Sequence, residues 1–239
     1  MSPNKAAFIY SDKLSQHILS TSHPMQPKRL AMTYDLLKQY NAFNQNNANV
    51  IPPRKATRNE LIKFHTKDYI DAIENMSNNP NTVSAALYNL GTADNPCYPQ
   101  MFEAALLSTG GSALAADLLI SSEYDSVFNI SGGLHHAMRS NASGFCVFND
   151  PVIAIEKFLE QKMKIAYIDI DCHHGDGVQE AFYDRDDVLT ISIHESGAFL
   201  FPGTGNTNEI GTGKGRGYSI NVPLYPYTYD ELYLSLIHI

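Results

Sequence analysis

Two short stretches crowd carboxylates and imidazoles together: Asp169-Ile170-Asp171-Cys172-His173-His174-Gly175-Asp176 and, a few dozen residues upstream, Ser131-Gly132-Gly133-Leu134-His135-His136. Carboxylate oxygen and imidazole nitrogen are ligands that zinc accepts, and a catalytic zinc takes three protein ligands and keeps a fourth position for water. Asp171 and His173 supply one oxygen and one nitrogen, and no third ligand is obvious in the chain. Metal-activated water needs a base, and an imidazole of the His135–His136 pair can take its proton while another group protonates a leaving amine. Asp169 and Asp176 can orient the two imidazoles, fixing their tautomers and raising their basicity. Any one of these residues alone reads as a turn residue or a satisfied buried polar group. Seven ionisable or imidazole groups in two segments are costly to bury together unless a metal or proton chemistry uses them.

The elements that position them follow from local pattern. Residues 164–168, Lys-Ile-Ala-Tyr-Ile, read as a buried parallel strand delivering the ligands at its C-terminal end. A strand repeats every two residues, so Asp169, Asp171 and, if extension persists, His173 share one side. Cys172 then faces away, as a small buried filler. Adjacent histidines would diverge on a regular strand, whereas the turn at Gly132-Gly133, fed by a strand over 126–130, can present both. Apolar residues at spacings of three and four predict helices over 28–40, 59–75, 101–119 and 151–162, and further strands are expected over 7–10 and 188–193. Gly110-Gly111 inside the third helix marks a place for close packing. Residues 41–49, rich in Asn, read as a surface loop.

With 239 residues, no internal repeat and no linker, the chain reads as one α/β domain over 1–239, a parallel sheet flanked by helices. The residues from Met1 to Ala6 lack a signal-peptide core and no run reaches membrane-spanning length, so a cytoplasmic protein without a membrane partner is expected. Cys97, Cys146 and Cys172 are scattered, which fits a reducing compartment. A net charge of -8 argues against a nucleic-acid groove and suits a cationic polypeptide substrate.

Beyond this chemistry, the blocks resemble the zinc-dependent histone deacetylase family, most closely its bacterial acetoin-utilisation branch. The matching blocks are Ser22-His23-Pro24 with Lys28-Arg29-Leu30, Leu90-Gly91-Thr92-Ala93-Asp94, the His135-His136 segment and Ala142-Ser143-Gly144-Phe145-Cys146-Val147-Phe148-Asn149-Asp150. They continue through Asp169 to Val178, Phe201-Pro202-Gly203-Thr204-Gly205, and Gly213 to Pro223. The resemblance implies an arginase/deacetylase-like fold, a zinc or ferrous ion on Asp171 and His173, and His135 and His136 as the paired catalytic histidines with His136 the main base and acid. It makes Asp169 and Asp176 their carboxylate partners, Gly144, Phe145 and Phe201 the walls of an acyl-lysine channel, and Asp94 a rim carboxylate for the substrate backbone. Arg29 and Cys146 would line a cavity that releases acetate. A potassium site is implied at Asp169, Asp171, His173, Ser192 and Ile193, and a second at Phe182, Arg185, Val188 and Tyr218, largely through carbonyls. The implied reaction removes acetyl from N-ε-acetyl-lysine, on a protein or a small acetylated amine.

Departures from the family pattern matter too. The family's chains continue further, and the remainder would carry another aspartate ligand and a carbonyl-polarising tyrosine; the C-terminal portion is therefore expected to be missing and the 239-residue chain inactive. Residues 234–239 also match the in-frame translation of a transposase end used in sequencing libraries, and read either as adapter or as a helix end. Three alternatives stand beside the protein deacetylase: an acetylpolyamine deacetylase, a binuclear manganese ureohydrolase and a non-catalytic binding module. The ureohydrolases want an Asp where this chain has Gly175.

Overall fold

Short apolar runs become parallel strands throughout the computed structural model, which describes residues 5–16, 19, 22–43, 48–80 and 83–236. The chain forms two compact units, Met1–Met163 and Lys164–Ile239. In the first, β1 (Ala6–Ile9) lies between β2 (Ala48–Ile51) and β3 (Ser126–Asn129), both parallel to it. The strand β2 was not expected, because its residues end the Asn-rich stretch read as loop; residues 44–47 of that stretch lie outside the described residues. Helices α1 (Lys28–Gln39), α4 (Met101–Ile120) and α5 (Asp150–Glu160) sit close to the predicted ranges.

The single helix expected over 59–75 is two, α2 (Arg58–Leu61) and α3 (Lys67–Asn78). Each has its own threonine cap: Thr57 forms a capping box with Glu60, and Thr66 Oγ1 accepts from the Tyr69 amide. A side chain that satisfies the first-turn amides starts a new helix even where the apolar period runs on. Another correction concerns α4, which by length and composition is apolar enough to cross a membrane although no such run was expected. More than half of it is buried, with Met101, Phe102, Ala105 and Leu106 in one core cluster with Ile70 and Phe148. Gly110 is where loop 54–56 meets α4, since a Cβ there would fall on the Arg54 carbonyl. A smaller aromatic cluster packs Phe8 of β1 and Tyr10 just after it on Tyr34 of α1, with the Tyr10 and Tyr34 rings stacked at 4.1 Å.

In the second unit β5 (Val188–Glu195) lies between β4 (Ile165–Asp169) and β6 (Ser219–Leu224), again all parallel. The short helix α6 (Asp176–Phe182) follows β4, and α7 (Asp230–Ser235) follows β6. Residues 234–236 thus belong to a helix end, and 237–239 lie outside the described residues. Along β5 the alternation is strict, but the buried positions after Val188 are Thr190, Ser192 and His194, while Leu189, Ile191 and Ile193 are only half-buried.

Candidate functional site

In the first unit, β3 ends at Asn129 and the chain turns through Ser131-Gly132-Gly133 into the histidine pair. Gly133 has φ +86°, a conformation that an L side chain rarely adopts, and its carbonyl accepts from the His135 amide at 2.9 Å. Both imidazoles are buried, with their Nε2 atoms 3.0 Å apart and ring centroids 4.0 Å apart. The expectation that a glycine turn presents both histidines together therefore holds.

The second predicted cluster of this unit surrounds Phe145. Ser143 and Cys146 exchange backbone hydrogen bonds of 3.1 and 2.7 Å across a two-residue turn whose central residues, Gly144 and Phe145, have φ of +49° and +72°. That backbone suits a hairpin turn but is strained for phenylalanine. Its surroundings hold it there: Asn95 Oδ1 accepts from the Phe145 amide at 3.0 Å, and the His23 ring meets the Phe145 ring edge-on at 4.6 Å. The Asp94 side chain is exposed while its carbonyl is 3.1 Å from His23 Nε2. A cavity of ≈ 90 Å³ is lined by Met25, Arg29, Tyr98, Ser131, Leu134 and Phe145 among others. Cys146, expected with Arg29, is buried but is not among the residues lining that cavity. The two-residue turn accounts for this, since the Cys146 Sγ is directed at the Gly144 carbonyl, 3.3 Å away.

In the second unit, β4 ends at Asp169, whose buried carboxylate accepts from the Tyr167 hydroxyl at 2.6 Å and the Asp171 amide at 3.0 Å. The Asp171 carboxylate accepts in turn from the His173 amide at 2.8 Å and lies 3.1 Å from His173 Nδ1. These side-chain-to-backbone bonds bend the chain at 171–173, so strand alternation does not persist past Asp169. Cys172 is consequently exposed, not a buried filler, with Sγ 3.3 Å from His173 Nδ1. Ligand-capable atoms of Asp171, Cys172 and His173 all lie within 4.8 Å of one another, and the oxygen and nitrogen donors fit a zinc or ferrous ion. Phe201 lies edge-on to His173 at 6.3 Å, half-exposed, as a channel wall beside the metal would require. Asp176 is buried at the start of α6. Register pairs Asp169 with Ser192, which with Ile193 on β5 puts all five residues of the first implied potassium site in this unit. For the second, the Phe182 carbonyl accepts from the Arg185 amide and the Tyr218 carbonyl from the Thr190 amide.

Several residues that the sequence left without a role hold these loops. Around the 204–209 loop, His174 Nδ1 is 2.8 Å from Thr204 Oγ1 and its Nε2 3.2 Å from Gln179 Oε1. Gln179 Nε2 donates to Glu209, which accepts from the Gly205 amide, and His194 Nε2 is 3.0 Å from the Gly205 carbonyl. Burial lowers the pKa of both His174 and His194. In the first unit, Asn149 and Asp150 stand at the start of α5 in the block that carries Phe145, where an Asn cap, a first-turn Asp and Pro151 are the local signals of a helix start. Burial raises the Asp150 pKa, against hydrogen bonds from Ser112, Leu134 and Gly133.

Comparison with known proteins bears on the whole arrangement. The profile of the histone deacetylase domain matches residues 23–239. The acetoin utilization protein AcuC of Bacillus subtilis is 44% identical over 96% of this chain, and histone deacetylase 1 of Homo sapiens 41% identical over 97%. The chain spans 59% of the first relative's length and 48% of the second's. Among solved structures, a histone deacetylase homolog from Aquifex aeolicus superposes with a TM-score of 0.82 at 36% identity, covering 92% of this chain and 59% of its own. A homolog complexed with SAHA gives 0.81. Its parallel sheets flanked by helices are those of the arginase/deacetylase fold, which in this family implies a catalytic metal. A profile match over nine-tenths of the sequence, together with 44% identity to the Bacillus relative, establishes that the chain belongs to the histone deacetylase domain family.

Proposed function

We propose that this protein hydrolyses the amide of N-ε-acetyl-lysine, releasing acetate and the free amine. The observation that carries the reading is the Asp171–His173 donor pair at the C-terminal end of β4, with the Phe201 ring beside it. Asp171 and His173 would hold a zinc or ferrous ion, which when bound would supply the Lewis acidity that lets water react near neutral pH. His136 takes the proton from the attacking water and returns it to the leaving lysine nitrogen, with His135 as its partner. Asp169 and Asp176 hold the two imidazoles in their tautomers. Gly144, Phe145 and Phe201 flank the apolar lysine stem, for which aromatic walls are suited. Asp94 accepts hydrogen bonds from the substrate backbone at the rim, and Arg29 serves the cavity through which acetate leaves. Potassium bound around Asp169, Asp171, His173, Ser192 and Ile193 braces the loop after β4. On this reading the protein acts in the cytoplasm on acetylated metabolic enzymes; the Bacillus relative is named for acetoin utilization, which supports a metabolic setting and no particular substrate.

The test is hydrolysis of a panel of acetyl-lysine peptides and acetylpolyamines by the protein purified as its gene encodes it. Acetate release from peptides, abolished by a chelator and restored by zinc or ferrous ion, is the expected outcome. Hydrolysis of acetylpolyamines alone would move the substrate to small amines, and manganese-dependent urea release from guanidino substrates would replace the reading by a ureohydrolase.

A further inference from the structure

The Asn149-Asp150 pair is buried, ionisable in part and unused by the chemistry above. The Asp150 carboxylate sits at the first position of α5, 1% exposed. It accepts from Ser112 Oγ at 2.5 Å, from the Gly133 amide at 3.1 Å and from the Leu134 amide at 2.8 Å. Asn149, fully buried, donates through Nδ2 to the carbonyls of His135 and Ala137, both at 3.0 Å, while its Oδ1 caps the Val152 amide. The two side chains thus grip the histidine turn from both ends: Asp150 takes the amides before the pair and Asn149 the carbonyls within and after it.

The grip continues into the rest of the unit. Asn129, the last residue of β3, donates to Ser112 Oγ at 2.9 Å and to the Ser108 carbonyl at 3.0 Å, and its Oδ1 accepts from Ser131. A chain of polar contacts therefore runs from β3 through α4 to the start of α5 and into the turn. Both glycines that border it leave room for it: a Cβ on Gly132 would lie 2.7 Å from Asp150 Oδ2, and one on Gly111 2.7 Å from Asn129 Nδ2. Buried polar groups with every donor and acceptor matched fix one geometry, because any displacement leaves a desolvated group unpaired.

We infer that Asp150, through Ser112 and the Gly133 and Leu134 amides, together with Asn149, is the positioning device that sets the His135–His136 imidazoles for proton transfer. It touches no reacting atom, and the inference rests on the acid–base role proposed for the pair. A displacement of about 1 Å at a catalytic base costs on the order of 100-fold in rate. Asp150→Asn keeps the shape but turns an NH2 toward an amide N–H, so kcat on an acetyl-lysine peptide should fall about 100-fold, with KM and metal content within about twofold of the parent. Ser112→Ala, which removes one donor of three, should cost about 10-fold, and so should Gly132→Ala, which crowds the carboxylate without changing it. Hydrogen exchange at the Gly133 and Leu134 amides and the 15N shifts of the two imidazoles are read on the same variants without substrate. If the parent hydrolyses no acetylated substrate, the functional reading fails, yet altered imidazole shifts in Asp150→Asn still support the positioning role. Should Asp150→Asn not fold, Ser112→Ala and Gly132→Ala carry the test. Unchanged imidazole shifts, or an unchanged kcat per folded molecule in a variant whose turn amides exchange faster, would overturn the inference.

Discussion

His136 and Asp171 differ in what their removal should do, and the difference separates base from ligand. His136→Ala should lower kcat at least about 100-fold, the range of general acid–base help, while metal content measured by atomic absorption stays level. His135→Ala losing more than His136→Ala would exchange the two roles. Asp171→Asn should instead strip metal, because an amide oxygen is a poorer ligand than a carboxylate, and activity should return only at high added metal. That His135 meets His136 and that Asp171 meets His173 was legible from spacing, since each pair lies within one short turn. Cys172 was misread because the Asp169 and Asp171 carboxylates accept hydrogen bonds from following amides and so bend the chain where strand periodicity was assumed. Asn95, which holds the strained Phe145 turn, carries no local signal, as its partner lies 50 positions away.

Three helices are tied by two acidic side chains, Glu60 and Asp117, that share the same two cations, and their stability should report it. Glu60 of α2 accepts from Arg54 at 2.9 Å and from Lys157 of α5 at 3.1 Å, and both cations also meet Asp117 of α4. Burial by itself would raise the Glu60 pKa, but hydrogen bonds from Arg54, Thr57 and Lys157 outweigh it and bring the pKa down from 4.5 to about 2. A carboxyl depressed in the folded state contributes stability that is complete above its unfolded value and is lost as pH falls from about 4.5 through about 2. Glu60→Gln should therefore destabilise by about 1–3 kcal/mol at pH 7, between an exposed and a buried pair, and by little near pH 2. Urea titrations at the two pH values check it; an equal loss at both would assign the effect to packing. Most helices were visible as apolar periods, whereas the break before α3 depended on Thr66 and a contact to the Arg139 carbonyl far along the chain. β2 went unseen because four residues beside an Asn-rich run carry too little pattern.

For the molecule as a whole, charge is the property that composition alone defines. At -8, attraction to basic peptides should be screened by salt, so kcat/KM for an acetyl-lysine flanked by Lys and Arg should fall between 50 and 500 mM salt by several-fold more than for a neutral-flanked peptide. Equal salt dependence for the two peptides would show that the net charge plays no part in selection. Fold class was readable at this scale because alternating strands and helices leave few architectures, while the division at Met163 was not, since the exposed residues 161–164 lack the composition of a linker. The polar network around Gly205 has one more consequence, for how the protein can diverge. Thr204, Gly205 and Glu209 are held from below by His174, Gln179 and His194, and a Cβ on Gly205 would strike both histidine rings. Thr207 and Asn208, at the exposed tip of the same loop, carry no such contacts in their side chains. Mutation can rewrite the tip, while the buried polar network under Gly205 admits almost no change: this loop is free to drift at its surface and fixed at its base.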